Sequence, residues 1–241
     1  PAPGIRCLCL RDGRFKTARV TAALLLMAAA EAVLFWHTLR QVLQAGGVPG
    51  VEALFDQPGM WLLWAAGLLL VTAALWLGTG GRSGSRVCYR IQRLPVRRSA
   101  VLIWWALYGV CCYFLAWAVQ LLTALALCRL YAVLTGGVLQ NGQTLFLACY
   151  RSAFLHSLLP LQDTARWFGT GAWLLGTGVS AAGAAAALWQ GKWNAAPAVL
   201  AAAAIFSAGP VGSCGWSVLL GAAALAAGAF SLAAVWKEED T

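Results

Sequence analysis

The fold is decided by residues 99–128, SAVLIWWALYGVCCYFLAWAVQLLTALALC, thirty residues between Arg98 and Arg129 without a charge. An α-helix rises 1.5 Å per residue, so about 20 apolar residues cross the roughly 30 Å hydrocarbon core of a bilayer. Working outward, the pattern recurs. Twenty-five uncharged residues separate Asp56 from Arg82, and another 25 separate Arg166 from Lys192. Forty-four lie between Lys192 and Lys237, enough for two helices turning at Gly209-Pro210-Val211-Gly212. Residues 20–43 are apolar apart from Glu31, His37 and Arg40. The expectation is an all-α integral membrane protein with six transmembrane helices, at 20–43, 58–79, 100–127, 167–189, 195–209 and 215–236. The fifth is the shortest and is rich in Ala.

Composition agrees. Of 241 residues 61% are hydrophobic and 10% charged, with a mean hydropathy of +0.74, where a soluble domain has about a quarter of its residues charged. Disorder and an ordinary soluble globule are excluded. Long Ala/Leu-rich runs are also unlike the short alternating strands of a membrane barrel. The net charge of +9 would suit nucleic acid, but its placement argues for topology and against a nucleic-acid partner. Thirteen basic residues fall on one expected side: Arg6, Arg11, Arg14, Lys16 and Arg19, then Arg82, Arg86, Arg90, Arg93, Arg97 and Arg98, then Lys192 and Lys237. The other side receives Arg40, Arg129, Arg151 and Arg166. Basic loops stay in the cytoplasm, so both termini are expected there, in a plasma (inner) membrane. The first apolar stretch is too long for a signal-peptide core and is expected to remain as a helix.

The chain therefore divides into a cytoplasmic N-terminal arm or elbow (1–19), a transmembrane domain (20–236) and a short cytoplasmic tail (237–241). Within the domain, residues 80–99 form a cytoplasmic loop and 129–166 an external segment. That segment is broken by Gly136-Gly137 and Asn141-Gly142. It then reads as one apolar helix over 144–159, stopped by Pro160 and lying in the outer interface. The eight cysteines form no CxxC pair and read as small buried apolar residues. Ala172, Gly176, Ser180 and Ala184 make a small-residue ridge at spacing four, which suits close helix approach.

The loop Ser85-Arg-Val-Cys-Tyr-Arg-Ile-Gln-Arg-Leu-Pro-Val-Arg-Arg98 holds the clearest pattern. At 100° per residue Arg86, Arg90 and Arg93 share one face, and Val87, Ile91 and Leu94 form a second stripe about 100° away. Pro95 ends this short helix and is suited to begin the next. Such an element fits docking onto a soluble partner. It equally fits six arginines meeting lipid headgroups.

Two stretches resemble the permease subunits of the type-2, exporter-class branch of ABC transporters. They are Tyr89-Arg-Ile-Gln-Arg-Leu-Pro-Val-Arg-Arg98, and Leu145-Phe-Leu-Ala-Cys-Tyr-Arg-Ser-Ala-Phe-Leu-His-Ser-Leu-Leu-Pro160. The resemblance in layout covers nearly the whole chain; the long external segment and the Ala-rich last two helices depart from it. It implies a six-helix permease whose loop between helices 2 and 3 contacts an ATP-binding cassette, with Val87, Arg90, Ile91, Arg93, Leu94 and Pro95 as the coupling residues. It also implies a second permease subunit, identical or homologous, and contact with membrane lipids. The chain lacks a G-x-x-x-x-G-K-[ST] phosphate loop, so ATP and Mg would belong to the partner and no cofactor is expected in this chain.

Glu31 is the carboxylate expected inside a membrane helix, where burying charge is costly. It is a candidate to line a substrate cavity or take up a proton, or else it pairs with a polar group on a neighbouring helix. Other classes are a membrane scaffold or accessory protein, a secondary transporter and an intramembrane enzyme. Gly178-Val-Ser180 offers a serine, but neither His37 nor His156 is evidently placed to activate it.

Overall fold

The computed structural model describes residues 3–44, 46, 50–80, 98–134, 142–161, 163–189, 192–203 and 214–237. Every regular element among them is helical: α1 (Pro3–Gln44), α2 (Val51–Phe55), α3 (Pro58–Gly80), α4 (Arg98–Leu134), α5 (Gly142–Arg151), α6 (Ala153–Leu158), α7 (Thr164–Trp189), α8 (Ala196–Ala202) and α9 (Cys214–Lys237). Five stretches are long and apolar enough to cross a membrane: Thr17–Gln44, Pro58–Trp76, Ala100–Leu134, Thr164–Leu188 and Gly215–Ala234. This is a helical, multi-pass membrane architecture. Of the six expected spans, the fifth corresponds to α8, whose seven described residues are too few to cross. The coupling residues Val87, Arg90, Ile91, Arg93, Leu94 and Pro95 lie outside the described residues.

Three boundaries differ from the sequence reading. The first helix starts at Pro3 and not at residue 20, because the basic arm contains no breaker strong enough to separate it from the apolar run. The third runs on to Leu134, past Arg129, which is exposed and keeps its charge out of the packed seam. The external helix expected over 144–159 is two helices. Ser152 between them is extended (φ −75°, ψ 123°), and its hydroxyl accepts from the Leu155 amide as the N-cap of α6.

Helix directions follow from residues that meet face to face. A Cβ added at Gly67 would run into Met27 and one at Gly59 into Leu34, so α1 and α3 are antiparallel. Gly109 abuts Gly178, and the Trp117 and Trp167 rings meet edge-on at 5.9 Å, so α4 and α7 are also antiparallel. In contrast, Gly169 faces Ser217, Gly176 faces Ala224 and Gly183 faces Ser231. Both series climb together, so α7 and α9 are parallel. Their seam repeats every seven residues, the period of two helices that wrap around each other. Of the expected spacing-four ridge, Gly176 lies in this seam, and Ala172 also meets α9, at Gly221.

Buried side chains line the inner seams. On α1 they are Val20, Leu24, Met27, Glu31, Phe35 and Leu39, spaced by three and four. On α4 the matching series is Tyr113, Ala116, Gln120, Ala124, Leu127 and Tyr131. α7 is the most enclosed span, while the other four bury less than half of their most apolar window. Large apolar side chains therefore cover the outside, among them Leu25, Leu26, Ile103, Trp104, Phe168 and Phe230. In water such a surface would aggregate; facing acyl chains it is the expected exterior. Of the cysteines, Cys112, Cys128 and Cys149 are buried as expected, but Cys111 is exposed on this apolar exterior.

Candidate functional site

Glu31 and Gln120 hold the same kind of position on two helices, the inner seam of α1 and of α4. Their exposures of 1% and 0% place both among the fully buried side chains. Gln120 Nε2 donates to Glu31 Oε2 at 2.8 Å. The remaining oxygen of each, Glu31 Oε1 and Gln120 Oε1, is buried without a hydrogen-bond partner. One helical turn is 5.4 Å, and the α1–α3 pairing sets Glu31, at the middle of the Thr17–Gln44 stretch, level with the second turn of α3. The structure supplies the polar partner on a neighbouring helix that the sequence reading allowed.

Two further polar contacts cross between helices. Thr72 and Tyr113 share a hydrogen bond of 2.5 Å between α3 and α4. Trp173 Nε1 donates to the Leu200 carbonyl at 3.1 Å, which ties α7 to α8. Ser180 is fully buried with an unpartnered hydroxyl. His156 lies near Asp163 and Arg166 at the opposite end of α7, about 22 Å away along the axis. A Ser180–His156 pair is therefore not formed. Among the described residues no group of three His, Cys, Asp or Glu side chains could hold a metal ion.

At the Gln44 end the short helices form a cap over the bundle. Asp56 sits in the turn between α2 and α3, and its Oδ1 accepts from Ser152 Oγ at 2.8 Å and from the Phe154 amide at 3.2 Å. Phe55 stacks on Phe154 with centroids 6.3 Å apart and packs against Phe35 at 5.3 Å. Trp117 Nε1 donates to the Leu158 carbonyl at 3.2 Å, which fastens α6 to α4. Glu52 and Arg151 approach to 3.6 Å, with Arg151 well exposed.

In this cap His156 packs edge-on against Tyr150 at 6.2 Å, and burial, reinforced by Arg166, holds its pKa below the ordinary value, against a smaller pull upward from Asp163. The unfolded chain, with an ordinary histidine pKa of about 6.5, takes up this proton before the folded protein does. The stability due to neutral His156 is thus complete above about pH 6.5 and is lost as pH falls from there through its folded value. We expect the thermal midpoint of the purified protein to fall between about pH 7.5 and pH 5.5, and His156→Gln to flatten that part of the curve. An unchanged curve in the variant would show that His156 does not titrate on unfolding.

The sequence reading missed Gln120, Asp56 and Ser152. Gln120 carried a signal, as a strongly polar side chain in an uncharged run of thirty residues. The Asp56–Ser152 link joins positions ninety-six residues apart and left no local trace. No family model, no curated protein and no solved structure matches the chain.

Proposed function

We propose that this chain is the membrane-spanning permease subunit of an ATP-binding-cassette transporter of the exporter class, energised by a separate cassette ATPase. The carrying observation is the direction of the helices. With α1 and α3 antiparallel, α4 and α7 antiparallel, and α9 parallel to α7, Pro3, Lys237 and the two ends that flank residues 81–97 fall at one end of the bundle. That end has the arginine-rich sequence Arg82 to Arg98, which supports a cytoplasmic face bearing both termini and a docking loop between the second and third crossings.

A sixth crossing belongs to this reading. Because α7 and α9 are parallel, the chain must return from Trp189 to the level of Cys214, about 35 Å back along the axis. Asn194 Nδ2 reaches Ser231 Oγ at 3.3 Å, near the Trp189 end. Leu200 then meets Trp173, well down α7. The described segment from Asn194 to Leu200 therefore heads toward the Thr164 end of α7, which supports the fifth crossing expected over 195–209.

The test is purification from the native host in mild detergent, with identification of co-purifying proteins and an ATPase assay. A cassette ATPase is expected in stoichiometric amount. Arg90→Glu combined with Arg93→Glu should reduce its retention by tenfold or more, since losing a docked charge pair costs about 2–5 kcal/mol. Insertion should be unchanged. A solitary protein in a preparation that preserves such complexes would favour a membrane scaffold instead.

A further inference from the structure

We infer that Glu31 and Gln120 form a proton-binding site in the membrane interior, in which Glu31 is the neutral acid and the two side chains close a ring of two hydrogen bonds. Donors and acceptors at this pair do not balance while Glu31 is ionised. An ionised carboxylate only accepts, and a carboxamide offers two N–H groups and one oxygen. With Glu31 ionised, the pair makes one hydrogen bond and leaves two buried oxygens without a donor. Both orphans are acceptors, and they belong to the two groups already joined. What the site lacks is a donor.

One proton repairs both. Placed on Glu31, it is donated to Gln120 Oε1 while Gln120 Nε2 continues to donate to the other carboxyl oxygen. The site then holds two antiparallel hydrogen bonds, no orphan oxygen and no charge. A water could donate to the same oxygens but would leave a negative charge in hydrocarbon, which costs several kcal/mol. A divalent cation prefers six or more oxygen ligands, and two are on offer.

Among the described residues no positive side chain takes the place of the proton. Residues 58–80 of α3 contain no ionisable group, nor do residues 167–189 of α7. On α1 the neighbours are His37 and Arg40, both exposed toward the outer end, and Arg19, exposed near the other. On α4 the ionisable groups nearest in sequence are Cys112, Tyr113, Cys128 and the exposed Cys111 and Arg129. From α2, Glu52 faces Arg151, and the adjoining Asp56 is held by Ser152 and Phe154. His156 of α6 belongs to the cap. The site also does not depend on the transport reading: any motion that parts α1 from α4 and wets Glu31 would release one proton, whatever the protein carries.

The experiment is infrared spectroscopy of the full chain in lipid nanodiscs, with isotope-labelled glutamic acid to assign the bands. A protonated-carboxyl C=O stretch is expected at neutral pH, where a glutamate with the ordinary side-chain pKa of about 4.3 gives only carboxylate bands. It should carry the glutamate isotope shift, vanish in Glu31→Gln and move to higher frequency in Gln120→Leu as its hydrogen bond is lost. Glu31→Gln can keep a two-bond amide ring, so it is expected to fold. If Gln120→Leu fails to fold, the labelled wild-type band and its loss in Glu31→Gln carry the test. Absence of the band at neutral pH, a band insensitive to Glu31→Gln, or a carboxylate signal dependent on sodium would overturn the inference.

Discussion

Gly176→Val is expected to separate α7 from α9 and to leave a protein that inserts but no longer packs. A Cβ at this position would lie within 2.5 Å of the Ala224 oxygen and the Leu225 nitrogen. These are backbone atoms on a helix, so no rotamer change relieves the clash. The helices must move apart, and the Gly169–Ser217 and Gly183–Ser231 contacts go with them. Overpacking a tight interior costs typically 1–3 kcal/mol, and a rigid neighbour puts this case at about 3 kcal/mol or more. Association of helices in lipid rests on close van der Waals packing, not on hydrophobic burial, so little else compensates. The individual helices remain stable, because hydrocarbon enforces their backbone hydrogen bonds. Far-ultraviolet circular dichroism should therefore stay near the wild-type value, while the thermal midpoint drops or the protein elutes as aggregate. Gly171→Val is the control, since a Cβ there meets nothing within 4 Å, and it should behave as wild type. Equal stability of both variants would refute the parallel α7–α9 seam.

The contrast between these two glycines shows what was legible from sequence. That α7 crosses a membrane follows from its uncharged length, a local property of the residues. That Gly176 meets Ala224 does not follow, because the small residues of α7 offer several stripes and the sequence alone does not choose. The spacing-four ridge and the spacing-seven seam share Gly176, and the partner helix selects between them. Glu31 was legible as an anomaly for the same local reason: a carboxylate in an apolar run announces itself. Its partner Gln120 is uncharged and breaks no run, so its role appears only when α1 and α4 are side by side. The external segment failed differently. Residues 144–159 read as one helix because nothing between Thr144 and Leu159 is a strong breaker. Ser152 breaks it by capping α6 and donating to Asp56, an interaction brought from the far side of the chain.

Asp56→Ala should therefore loosen the cap while sparing the membrane bundle. The substitution removes the acceptor of two hydrogen bonds, from the fully buried Ser152 and from the Phe154 amide. Hydrogen bonds to charged groups contribute about 1.5–3 kcal/mol each, and the longer amide bond falls at the weak end. The expected loss is about 3 kcal/mol, confined largely to α5 and α6, because these helices touch the bundle through few other polar links. Phe55–Phe154 stacking and the Trp117–Leu158 bond remain, so the cap is expected to open locally and not to unfold the spans. Hydrogen exchange should rise across residues 142–161 and stay near wild type in α7 and α9. Asp56→Asn keeps an acceptor oxygen and loses the charge, which should reduce the effect to about 1 kcal/mol. Glu52→Gln breaks a nearby ion pair of 3.6 Å, but its partner Arg151 is 65% exposed, and such pairs contribute under about 1 kcal/mol. If Glu52→Gln opened the cap as much as Asp56→Ala, surface charge would be its fastening, and the buried Asp56–Ser152 link would not.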